Sequence, residues 1–174
     1  MVASLPDAAT SADLDVVRRQ LGRPPRGVVG IAARCVCGNP IVVTTAPRLP
    51  DGSPFPTFYY LTHPAATAEL SRLEADHVMS QFEAWLASDS DATERYRAAH
   101  RAYVSDRARF GKVEEIADVS AGGMPVRVKC LHALAAHALA AGPGVNPVGD
   151  AALARCAWSP HRCSCSDPGP GGAA

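Results

Sequence analysis

The chain has no net charge to speak of: 17 Lys and Arg balance 17 Asp and Glu, and the isoelectric point is near 7.0. No overall field therefore draws it toward nucleic acid or an anionic membrane surface. No apolar run approaches the roughly 18 residues needed to span a bilayer, so no membrane partner is expected. The opening "MVASLPDAATSADLD" lacks the basic stretch and apolar core of a secretory signal. These absences together point to a cytoplasmic protein. G-x-S-x-G, H-E-x-x-H and the other nucleophile or zinc-protease signatures are missing. No internal repeat is visible either. The sequence names no reaction, and whether the chain is an enzyme stays open at this point.

What is present fits a globular domain: 174 residues, 47% hydrophobic and 20% charged. Thr10 and Asp13 have capping-box spacing before the periodic Leu14, Val17 and Leu21, and Gly22 follows as a stop. The β-branched run "RGVVGIAARC", the tight "CVCGNP" and "IVVTT" predict a hairpin with strands near 27–34 and 41–45. "TFYYL" predicts a third strand. Pro64 suits the first position of a helix that breaks near Asp76-His77. Further helices are expected at about 92–110 and 125–141, with a short one after Asp150. The expected fold is α+β, a small antiparallel three-stranded sheet under four to five helices. Residues 11–157 form its single domain; 1–10 and 158–174 have the composition of disordered ends.

Six cysteines in a reducing compartment point to metal more than to disulfides. Cys35 and Cys37 form a C-x-C at the hairpin tip, followed by Gly38, which permits the backbone turn a zinc knuckle needs. In "KCLHALAAH", Cys130 and His137 share a helical face but lie about 10.5 Å apart along the axis at 1.5 Å per residue. His132 points about 200° away from Cys130. A regular helix thus makes a poor site from these three alone; Cys130 and His132 could converge only in an irregular first turn, and Pro125, which favours an earlier helix start, argues against that. His63, at a strand-to-helix junction, supplies a nitrogen near the same end as the hairpin tip. Cys35, Cys37, His63 and Cys130 would form a three-sulfur, one-nitrogen tetrahedron suited to Zn²⁺, with His132 or His137 as reserve or outer partner. An iron–sulfur cluster is the alternative occupant.

Other features carry weaker signals. Cys156, His161, Cys163 and Cys165 place four donors in a Pro/Gly/Ser-rich tail, which reads as disordered before it reads as a site. Six basic residues over 94–112 read first as a solvated helix face, and nucleic acid is not expected as a partner. "SAGGMP" is Gly-rich enough to suggest anion binding at a following helix start, without matching a phosphate-loop fingerprint.

"RCVCGNP", "PRLPDGSPFPTFYYLTHP" and "SAGGMPVRVKCLHALAAHALAAGPGVNP" resemble the actinobacterial domain-of-unknown-function family numbered five hundred and one, over about residues 22–155. The resemblance implies shared positions at Cys35, Cys37, His63, Cys130, His132 and His137. It implies no chemistry, and it leaves the tail cysteines outside. It also implies a gene neighbourhood with septum-formation and exopolyphosphatase proteins. From that follows a second reading: a metal-free module that docks a protein partner in cell division or phosphate metabolism. A metal-dependent enzyme with His132 or His137 as base is a third.

Overall fold

The computed structural model describes residues 6–166; the outermost residues of both expected disordered ends lie outside that range. The capping box forms as its spacing predicts. Thr10 Oγ1 accepts from Asp13 N at 3.1 Å and Asp13 Oδ2 accepts from Thr10 N at 3.0 Å, starting helix α1 (Ser11–Leu21), which ends on Gly22. Strands β1 (Val28–Arg34) and β2 (Pro40–Thr45) pair antiparallel, and β3 (Tyr59–Leu61) adds to β2, giving the order β1-β2-β3. Side chains alternate across this sheet: Ile31 and Val43 pack on Val17 of α1, while Val42, Tyr59 and Leu61 enter the main core on the other face. Asp7, within the N-terminal stretch expected to lack order, exchanges two backbone hydrogen bonds with Ile31.

Helices α2 (Pro64–Ala75) and α3 (Val78–Ser88) are separated where expected, and His77 takes the left-handed conformation at φ 56° between them. Helix α4 (Ser90–Ala108) follows, then a 3₁₀ turn at Glu114–Ile116, α5 (Leu131–Ala141) and α6 (Pro147–Leu153). The described residues thus hold six α-helices on a three-stranded sheet, an α+β single domain as the sequence predicts. No helix among them is long and apolar enough to cross a membrane.

Two helix boundaries differ from expectation. Helix α6 begins earlier than the sequence suggests. Asn146, not Asp150, is its cap, accepting from Gly149 N at 2.9 Å. The helix expected from residue 125 starts instead at Leu131. Residues 120–130 are a tight loop in which Gly122 O accepts from Lys129 N and Gly123 O from Arg127 N. Gly122 has φ +73°, and a Cβ there would lie 2.6 Å from Leu134, so the loop folds directly onto α5. The Gly-rich segment therefore does not open a helix, and the expected anion site at its N-terminus does not form. The place is taken by a carboxylate of the chain itself, since Glu74 Oε1 accepts from Leu131 N at 2.7 Å.

Helix α5 is the centre of the molecule. Leu131, Leu134, Ala135, Ala136 and His137 are at most 0% exposed, and α6 crosses so closely that a Cβ on Gly149 would lie 2.2 Å from Leu134 O. The basic surface of α4 is largely paired within itself: Arg95 with Asp91, and Arg97 and Arg101 with Glu94. Arg107 is buried and donates to the carbonyls of Pro56, Ile116 and Val119.

One ion pair orients the hairpin tip. Arg34 grips the Asp13 carboxylate with two nitrogens, at 2.6 and 3.1 Å, and also donates to Gly38 O at 3.0 Å. The Arg34 bond, against the opposing pull of burial, holds Asp13 down to about 2, below its ordinary 3.8. A depressed carboxylate stabilises the fold fully above pH 4 and stops doing so as pH falls through 2. The shift corresponds to about 2 kcal/mol. Asp13→Asn should therefore lower urea stability at pH 7 by about that amount. The gap to the wild type should close near pH 2; a gap unchanged by pH would rule out the ion pair as its source.

Candidate metal centre

The hairpin tip is a knuckle. Cys35 N donates to Asn39 O and Gly38 N to Cys35 O, both at 2.8 Å, and Gly38 has φ +91°. This turn carries Cys35 and Cys37 inward, 4% and 0% exposed. The segment after Trp158 lies against it, with Val36 N donating to Pro160 O at 2.9 Å. That contact brings a second C-x-C to the first. The sulfurs of Cys35, Cys37, Cys163 and Cys165 all lie within 4.8 Å of one another, and Cys37 Sγ is 3.6 Å from Cys165 Sγ. All six cysteines are free thiols. Burial pushes the Cys35 and Cys165 thiols up, the ordinary result of removing a thiolate from water with no cation beside it.

His63 stands next to this group. It caps α2, with Nδ1 accepting from Ala66 N at 3.4 Å, while Nε2 is 3.4 Å from Cys165 Sγ. Because Nδ1 is the acceptor, the ring hydrogen sits on Nε2 and points at sulfur. Burial lowers the His63 pKa, which favours this neutral form, and the ring packs on Trp158 at 5.2 Å. His63 is therefore placed as an N–H donor to the Cys165 sulfur, the position from which outer partners orient thiolates where these hold a metal.

Cys130 is not brought to this group. It forms a second cluster with His132 and Glu74, whose donor atoms also lie within 4.8 Å of one another. Cys130 is the residue before α5 and His132 is in its first turn, so the late start of the helix is what lets the two converge. His132 Nδ1 is 3.9 Å from Cys130 Sγ and 3.2 Å from Glu74 Oε1; Nε2 is 3.2 Å from both Thr67 O and Ser71 Oγ. Cys130, followed by the Glu74 charge, raises His132 to about 9. Burial is the largest influence and would raise the Cys130 thiol, but the His132 contact and the Ala133 backbone together outweigh it and bring it down.

His137 stands apart from both clusters. It is fully buried, stacked on Tyr59 at 5.5 Å and edge-on to Tyr103, with Asn146 Nδ2 donating to Nδ1 at 3.2 Å. Of the tail donors, Cys156 turns to Ala152 O and His161 is exposed. The Ser, Pro and Gly flanks of Cys163 and Cys165 give the tail the composition of a disordered end and mask both residues as ligands. Their signal was a repeated tetrapeptide: "RCVC" at Arg34–Cys37 returns as "RCSC" at Arg162–Cys165. Glu74 had none, being one acid on an ordinary helix face.

No curated protein and no solved structure is significantly similar to this chain. A family model described as "Protein of unknown function (DUF501)" matches residues 31–154, well over half the chain. That span includes Cys35, Cys37, His63, Glu74, Cys130 and His132 and stops short of Cys163 and Cys165, and on its strength the chain belongs to the DUF501 family.

Proposed function

We propose that this is a zinc-binding protein in which one ion, held by Cys35, Cys37, Cys163 and Cys165, fastens the segment after Trp158 onto the hairpin tip. The carrying observation is the mutual approach of four sulfurs within 4.8 Å. Four thiolates about 2.3 Å from one tetrahedral ion stand about 3.8 Å apart, close to the 3.6 Å between Cys37 and Cys165. Iron–sulfur clusters spread four thiolates over two or more irons, so the set as a whole is wider than one tetrahedral edge and a single ion fits better. A complete sulfur set with two buried members leaves no position for substrate, which makes the ion structural. His63 Nε2–H supports the Cys165 thiolate from outside.

The test is metal analysis of untagged protein purified anaerobically. One zinc that depends on Cys37 and Cys165 is expected, and Co²⁺ in its place should give the intense visible bands of tetrahedral thiolate coordination. Cys37→Ser and Cys165→Ser should each abolish those bands. Metal content indifferent to both substitutions would overturn the reading, and a brown protein would replace zinc by iron.

A further inference from the structure

We infer that Glu74, Cys130 and His132 form a second metal site, open on one side, that presents a divalent zinc-class cation to the cavity between β3, α2 and α5. It is independent of the four-sulfur site and would stand if that one failed.

The first ground is the convergence of three unlike donors from two elements. Nδ1 of His132 is 3.9 Å from Cys130 Sγ and 3.2 Å from Glu74 Oε1. An ion about 2.3 Å from sulfur and about 2.0 Å from nitrogen and oxygen holds such pairs about 3.5 and 3.3 Å apart. The second ground is the far side of the ring. Thr67 O can only accept, so His132 Nε2 carries a hydrogen, and at 3.2 Å it makes the outer bond that metal-bound histidines make to a backbone carbonyl. Glu74 is fixed in turn by Leu131 N–H at 2.7 Å.

A nucleophilic triad is the rival use of these residues, and the geometry disfavours it. A triad histidine receives the nucleophile on one nitrogen and its orienting acid on the other. Here thiol and carboxylate both face Nδ1, so a cation at their common focus satisfies all three donors, whereas a single proton must be shared.

The third ground is access. Cys130 and His132 line a cavity of about 730 Å³ whose other walls include Tyr59, Tyr60, Thr62 and Gln20. Three protein ligands and an open fourth position are the arrangement of catalytic rather than structural zinc. No Lys, Arg, Asp or Glu lines the cavity. The ligand class it fits is a small uncharged molecule offering a carbonyl oxygen to the ion, with water there in its absence.

Titration of the demetallated full-length chain with Co²⁺ decides the matter. About two equivalents should bind, and Glu74→Gln and Cys130→Ser should each remove the one that Cys37→Ser leaves. In the Cys37→Ser chain, azide should shift the spectrum of the remaining ion, because only an open site admits a further ligand. Loss of all binding in Cys37→Ser would overturn the proposal, as would a stoichiometry unchanged by both Glu74→Gln and Cys130→Ser. Circular dichroism accompanies each variant; Glu74→Gln, near-isosteric and partly exposed, serves if Cys130→Ser fails to fold.

Discussion

A chelator that removes the proposed ion should free the segment after Trp158 for protease attack while the helices and sheet stay folded. The main core, from Val42 and Tyr59 through Leu134 to Val148, draws its buried members mainly from the sheet and helices, with Cys163 and Cys165 only partly buried against it, so it has its own means of cohesion. The tail has little else. Beyond Cys163 and Cys165, its links to the rest are Val36 N to Pro160 O and the Trp158 ring, which packs on His63 and the core. At free zinc a thousandfold above its dissociation constant, an ion bound only by the folded form adds about 4 kcal/mol. Cys37→Ser should therefore lower thermal stability strongly in zinc-replete buffer and only slightly in chelator. Equal losses in both buffers would mean that Cys37 acts through packing alone.

The second large effect is acid sensitivity centred on His137. Burial lowers its pKa to about 4 from an ordinary 6.5. Tyr59, Tyr103 and the Asn146 amide pack on it; none carries a negative charge to offset a positive one, and Asp106 is spent on the Tyr59 hydroxyl at 2.9 Å. In the unfolded chain the ring takes its proton as pH drops through 6.5, while the folded chain refuses it until pH 4. Stability is thus intact above pH 6.5 and declines by about 3 kcal/mol by pH 4. His63, also lowered by burial, adds in the same direction. His137→Gln should flatten this part of the profile even if its absolute stability is lower. A His137 ring that titrates near 6.5 by NMR in the native protein would refute the assignment.

The elements that local chemistry decides were legible in the sequence. Thr10 and Asp13 cap α1 by spacing alone, β-branched runs around "CVCGNP" form the hairpin, and Asp76-His77 breaks α2 from α3. What failed was set by residues distant in sequence. The start of α5 could not be read from Pro125, because its first N–H is taken by Glu74, 57 residues earlier. Whether Cys130 meets the hairpin cysteines depends on the whole sheet-and-helix packing, which local sequence does not encode. It falls instead beside His132 and Glu74. The tail was read by composition, which reports how much apolar surface a segment can bury and is blind to ligands that need only an ion.

The pairing of Cys37 with Cys165 spans 128 positions. A ribosome adding about 5–20 residues each second makes the hairpin at least several seconds before the second "RCSC" emerges. Until then the knuckle offers two thiols and no more. On the proposed reading, capture of an ion by all four sulfurs is thereby a late step of maturation, open only to a chain whose synthesis has run through Cys165.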